Sequence, residues 1–169
     1  SPRMPLSIIA CKQDKRKGEK TMAKIVMYRI DWRMAHGQVA GVWSKALNAK
    51  KIIIFNDTAA NDKMMVKVMN ASMPTCKVSA YHVDKINEVY AKDNFGTGNV
   101  IVLFRTPEDA YRAFKLGFPI PELNVGQVPG GPGSNRVLAC DSVCLSEEEL
   151  GWLTEMSNAG TKVYTHQSI

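Results

Sequence analysis

Short apolar runs alternate with amphipathic segments along most of the chain. Ile25-Val26-Met27-Tyr28 is continuous and apolar, as in a strand covered on both faces. A polar stretch, Asp31–Gly37, follows it. Val39, Val42, Trp43, Ala46 and Leu47 then recur at i, i+3, i+4, i+7 and i+8, which predicts a helix. Ile52–Phe55 reads as a second buried strand, ended by Asn56-Asp57. A second helix starts at Asn61 or Asp62, with Met64, Met65, Val68 and Met69 on its inner face and Pro74 beyond its end. Lys77–His82 predicts a third strand. Asp84 is expected to cap a short helix carrying Ile86, Val89 and Tyr90, and Val100–Phe104 gives a fourth strand.

The second half is more sharply punctuated. Thr106 reads as an N-cap and Pro107 as the first helical residue. Glu108 and Asp109 complement the helix dipole, and Gly117 ends the helix. Leu123-Asn124-Val125 is a short strand, Gly126–Gly133 a Gly/Pro-rich loop, and Arg136–Val143 one further strand. Ser146 and Glu149 have capping-box spacing, so a last helix runs to about Asn158. Lys162–His166 is a final strand. Such alternation predicts an α/β domain, with parallel strands joined by right-handed crossovers and helices on both faces. Ligands of these sheets bind at the carboxyl ends of the strands. That directs attention to the loops Asp31–Gln38, Asn56–Asn61, Arg105-Thr106 and Gly126–Gly133.

Composition narrows the class. The chain has 169 residues, 45% hydrophobic and 22% charged, which excludes wholesale disorder. No apolar run is long enough to span a bilayer. Cys11, Cys76, Cys140 and Cys144 lack the CxxC spacing of a zinc site, and Cys140 and Cys144 read as buried structural thiols. The net charge of +6 invites a nucleic-acid reading, but its distribution weakens it. Residues 1–21 hold six basic and two acidic groups, against 16 and 14 in the remainder. That segment reads as a disordered arm, an expression remnant or an upstream extension, with the working domain at residues 22–169. It lacks the aromatic interleaving of a nucleic-acid arm.

Chemistry concentrates in the first polar loop. Arg29, Asp31, Arg33 and His36 set two guanidiniums, a carboxylate and an imidazole between a strand and a helix start. An anion there would meet unpaired backbone N–H groups, and Gly37 would let the backbone approach it. Arg33 suits a fork on phosphate oxygens. Asp31 suits either orienting the ring or balancing the arginines. The blander reading is a surface loop with a solvated histidine. His82 and His166 fall in strand patterns and read as satisfied or edge histidines rather than metal ligands. No nucleophile elbow or Walker loop is present, and Gly130-Gly131-Pro132-Gly133 is not a dinucleotide fingerprint.

The run Arg29-Ile30-Asp31-Trp32-Arg33-Met34-Ala35-His36-Gly37-Gln38-Val39 closely resembles the active loop of IIB components in the mannose/fructose/sorbose family of the bacterial sugar phosphotransferase system. The resemblance continues through Trp43, Asn56-Asp57, Asn61-Asp62, Phe104–Ala110, Gly117–Ile120 and Leu123–Gly126, covering roughly Lys24 to Tyr164. It implies a three-layer α/β/α sandwich with a mainly parallel central sheet of about six to seven strands. It also implies that His36 takes a phosphoryl group from the phosphohistidine of a IIA protein or domain and passes it to a sugar held by the membrane IIC/IID components. Asp31 and Arg33 match the supporting residues, and Gly37, Gln38, Arg29, Asn56, Asp57 and Arg105 are candidate phosphate-binding positions. Such proteins are cytoplasmic, work without metal or nucleotide cofactor, and are often homodimers. Phosphate in this class is thought to sit on Nδ1. Trp32 stands where relatives carry an acidic or small polar residue. Gln127–Asn135 lacks their basic cluster, and the chain stops earlier than many of them. The rival reading is a non-catalytic regulatory or binding module on the same scaffold.

Overall fold

The computed structural model describes residues 22–165. Expectations for the N-terminal arm, Cys11 and His166 lie outside the described residues, as does the Gln38 side chain. In chain order the elements are β1 (Lys24–Asp31), α1 (Gly37–Ala46), β2 (Ala49–Phe55), α2 (Asp57–Asn61), α3 (Lys63–Ser72) and β3 (Lys77–Tyr81). A single 3-10 turn, Val83–Lys85, leads into α4 (Ile86–Asp93). β4 (Asn99–Phe104), α5 (Pro107–Lys115), β5 (Glu122–Gln127), β6 (Val137–Cys140), β7 (Val143–Leu145), α6 (Glu147–Asn158) and β8 (Lys162–Tyr164) follow.

Six strands form one sheet in the order β3-β2-β4-β1-β5-β8, and every pairing is parallel. Side chains alternate across it and build two cores. On one face Met27, Ile52, Ile54, Ile101 and Leu103 pack with Trp43 of α1 and Met65, Val66 and Met69 of α3. On the other, Tyr28, Ile30, Phe55, Val102, Phe104 and Val125 pack with Ile86 of α4, Ala110 and Ala113 of α5, and Leu153 and Met156 of α6. The expected α/β/α layering is therefore present. It follows from central strands that are apolar at successive positions.

The Thr106 N-cap and the Ser146–Glu149 capping box read from sequence are both formed, and Thr106 with Asp109 makes a second complete box. Thr106 accepts from Asp109 N, and Ser146 from Glu149 N, with each acid reaching back to the cap. Gly117 has φ +83, a conformation that favours glycine and ends α5.

Several expectations need correction. β1 extends to Asp31, because its last residues pair with β4 and β5. Asn56 caps an extra helix, α2, its side chain accepting from Ala59 N. In α3 the inner face is Met65, Val66 and Met69; Met64 and Val68 are 69% and 52% exposed. An apolar run without gaps does not by itself choose a face. Asp84 lies inside the 3-10 turn and caps nothing, since His82 precedes that turn. Gly126 and Gln127 belong to β5 and not to the loop. Arg136–Val143 is not one strand: it turns at Asp141-Ser142, with Ser142 at φ 61, and β6 pairs antiparallel with β7. That polar pair between apolar runs is a turn signal. Cys140 and Cys144 are only half-buried, because they lie in this two-stranded hairpin and not in the main sheet.

Candidate functional site

Met27, Arg29 and Asp31 alternate up the α1 face of β1, so the strand carries two charges into the protein before it ends. Arg29 is 2% exposed and Asp31 1%. The Arg29 guanidinium donates to Asp31 Oδ2 from Nε at 3.3 Å and from Nη2 at 3.1 Å, and from Nη1 to Asn124 Oδ1 at 2.6 Å. Its carbon lies 5.7 Å from the Trp43 ring centroid. Burial pulls this guanidinium below its ordinary value, and Asp31 opposes the shift. Gly126 makes room for it: a Cβ there would collide with the Arg29 guanidinium. The β1–β5 register shifts at the same place, Ile30 pairing with Val125 and Asp31 with Gln127.

The loop then turns back. Met34 N donates to Asp31 O at 3.1 Å, and Met34 has φ 57, uncommon for a side-chain-bearing residue. Met34 and Ala35 are buried and anchor the loop in the α1-side core. Asp31 Oδ1 accepts from Arg33 N at 2.9 Å and lies 3.6 Å from Arg33 Nε. The Arg33 side chain remains 42% exposed. The bonds of Asp31 thus go to the two arginines, and none to His36 is formed among the described residues. His36 is half-buried and caps α1 with extended backbone (φ −111, ψ 150), while its imidazole makes no capping bond. Gly37 opens the helix.

Trp32, 41% exposed, sits at the rim. Its N–H donates to Gln127 O at 2.9 Å. The Arg105 guanidinium stacks on its indole at 4.2 Å and donates from Nε to Trp32 O at 3.4 Å. Arg105 therefore reaches the loop from the end of β4.

Asn56 and Asp57 are engaged elsewhere. Asn56 Nδ2 donates to buried Asp109 at 2.8 Å, and Asn56 Oδ1 caps α2. Burial pushes the Asp109 carboxyl up despite that bond. Asp57 accepts from Val83 N at 3.0 Å and Arg112 at 2.9 Å, with His82 at 3.4 Å. Burial raises the Asp57 carboxyl, but those partners outweigh it and leave it below its usual range. His82 also meets Asn61 at 3.1 Å. No group of acidic, His or Cys side chains suited to a metal occurs among the described residues. A cavity of about 640 Å³ beside the β6–β7 hairpin contains none of the loop residues.

Three contributors, Asn124, Gly126 and Trp43, lie in the blocks that carry the resemblance but were not among the expected site residues. A polar residue and a glycine inside a buried strand were the available signal. Among the described residues Asn124 Nδ2 and Gln127 Oε1 are buried without hydrogen-bond partners, so polar capacity remains beneath the loop.

Fold and loop together define a parallel α/β protein whose first strand ends in a loop that carries two arginines, a buried carboxylate and, at the start of the next helix, a histidine. Residues 25–168 match the family described as "PTS system sorbose subfamily IIB component", and the chain belongs to that family. It is 33% identical over 141 residues to the sorbose-specific EIIB component of Klebsiella pneumoniae, covering 83% of this chain and 85% of that one. The crystal structure of the IIBSor domain of the sorbose permease from Klebsiella pneumoniae superposes with a TM-score of 0.77 at 30% identity, covering 86% and 88%. The mannose-specific EIIAB component of Escherichia coli K12 is 30% identical, covering 82% of this chain and 43% of that protein. The protein is thus a IIB phosphocarrier of a sugar phosphotransferase system. No helix among the described residues is long and apolar enough to cross a membrane.

Proposed function

We infer that His36 accepts a phosphoryl group from the phosphohistidine of a IIA protein or domain and passes it to a sugar bound by membrane IIC/IID components during uptake. In the first step the donor N–P bond breaks and its electron pair returns to the donor ring. A lone pair of one His36 nitrogen forms the new N–P bond. The donor ring gains a proton equivalent to the one released from the other His36 nitrogen. In the second step the sugar hydroxyl oxygen takes the phosphoryl group, and the His36 ring takes up the proton that the hydroxyl loses. The acceptor is therefore an alcohol.

The observation that carries this reading is His36 at the start of α1, its imidazole without a hydrogen bond among the described residues, three residues after an arginine whose backbone is already fixed. Transfer between nitrogen and oxygen depends on positioning and charge stabilisation more than on covalent help from the protein. Arg33 supplies the mobile cation. Asp31 holds the Arg33 amide and balances buried Arg29. The opening amides of α1, at Gly37 and Gln38, face incoming negative charge with the positive end of the helix dipole. The protein works at the inner face of the membrane, where IIC and IID meet it. The EIIAB relative supports a IIA unit as its immediate neighbour.

Incubation with a IIA domain charged with radiolabelled phosphate tests the reading. One acid-labile phosphate per chain is expected, and none in His36→Ala. Equal labelling of His36→Ala would overturn the assignment, and no labelling of the natural chain would favour a non-catalytic module.

A further inference from the structure

We propose that Trp32 is a positioning residue, whose indole and carbonyl hold Arg105 so that its remaining N–H groups meet the phosphoryl group in transit at His36. This deepens the phosphocarrier reading and rests on it.

Trp32 and Arg105 lie just beyond the ends of neighbouring strands. Ile30 of β1 and Phe104 of β4 are register partners, and the chain continues to the site from each. Arg105 Nε donates to Trp32 O at 3.4 Å. That carbonyl shares a peptide unit with the Arg33 N–H, which Asp31 Oδ1 holds at 2.9 Å. One planar peptide, fixed at both its oxygen and its hydrogen, therefore relates the two guanidinium-bearing residues. The Trp32 N–H is itself fixed on Gln127 O at 2.9 Å, so β5 also braces the arrangement.

The indole then decides what Arg105 can do. The guanidinium carbon lies 4.2 Å from the ring centroid, well within cation–π range. No carboxylate lies within ion-pair distance of Arg105 among the described residues, and its two terminal nitrogens make no hydrogen bond there. A carboxylate would also orient a guanidinium, but it would cancel the charge. An aromatic face restrains the fork and leaves the charge and the terminal donors intact. Holding that fork before an anion arrives reduces the ordering required on binding. Trp32 lies at the rim, 41% exposed, and is no part of either hydrophobic core. Arg33, just past the end of β1, and Arg105, just past the end of β4, thus bring two forks to the oxygens of one phosphoryl group, where negative charge is spread during transfer.

Single-turnover transfer from a IIA domain charged with radiolabelled phosphate separates positioning from docking. Arg105→Ala and Trp32→Ala are each expected to lower the rate at saturating donor by about tenfold or more. The donor concentration at half-saturation is expected to stay unchanged. The double variant should be no slower than Arg105→Ala, because both changes remove one unit. Trp32→Phe, which keeps an aromatic face, should retain the rate, and Trp32→Leu should not. That pair decides the matter even if Trp32→Ala folds poorly. Full rates in Trp32→Leu, additive losses in the double variant, or a change confined to half-saturation would overturn the proposal. Labelled natural chain with unaffected variants would overturn this inference alone. A natural chain that takes no label would overturn it together with the phosphocarrier reading.

Discussion

Arg29 and Gly126 compete for one space: the guanidinium of the first lies where a side chain on the second would begin. The guanidinium cannot swing away, because Asp31 and Asn124 hold it from two sides. Gly126→Ala should therefore destabilise the protein by about 1–3 kcal/mol, the usual range for overpacking. Urea denaturation measures this. An unchanged midpoint would show that β5 yields at this position.

Arg29 and Asp31 form an ion pair removed from water on both sides. Burying such charges is expensive, and removing one partner strands the other. Arg29→Met should cost about 3–5 kcal/mol in chemical denaturation. Adding Asp31→Asn to that variant should recover part of the loss, because no buried charge is then left unpaired. A loss that grows in the double variant would place the stabilising value elsewhere than in the pair.

Arg33 presents the opposite case. Its side chain is 42% exposed and its ion pair with Asp31 is long, at 3.6 Å. Arg33→Ala should leave the unfolding midpoint nearly unchanged. It should slow transfer to His36 by about 100-fold, the scale of losing one charge-stabilising donor. Rapid-quench labelling reads the rate directly, and a natural rate would remove Arg33 from the site.

Acid sensitivity should trace in part to Glu149. Burial pushes its carboxyl up, but Arg136 outweighs that with two bonds of 2.8 Å, and Ser146 N adds a third at 3.0 Å. The folded value therefore lies below the unfolded one. The stabilisation is present above the unfolded value, about pH 4.3. It is lost as pH falls through the depressed folded value. Urea midpoints measured against pH should show this fall, and Glu149→Gln should flatten it. An equal slope in the variant would assign the acid sensitivity to other carboxylates, Asp57 among them.

The layered architecture was legible because central strands such as Ile52–Phe55 and Val100–Phe104 are apolar at successive positions, and because Thr106, followed by Pro107, and Ser146, with Glu149 three residues on, mark helix starts. The loop from Arg29 to His36 was legible from its crowding of charge and imidazole. Its partners were not. Asn124 and Gly126 matter only because β5 lies beside β1, a pairing between residues far apart in the chain. Asn56 and Asp57 looked equally suited to bind phosphate until helix capping and Arg112 claimed their polar atoms. Sequence spacing shows which groups are near in the chain, whereas a hydrogen-bond network decides which are already occupied.

The sheet order also sets a sequence in time. β1 is the first of the described strands to be made, yet it lies between β4 and β5. Until Gln127 has left the ribosome, one edge of β1 has no neighbour, and neither Asn124 nor the Gln127 carbonyl exists to receive Arg29 and Trp32. The contacts that shape the loop are thus non-local, the kind that form late because a long chain segment must first be closed. A nascent chain carries the histidine long before it can hold it in place. The loop acquires its full set of contacts only when the sheet around it closes.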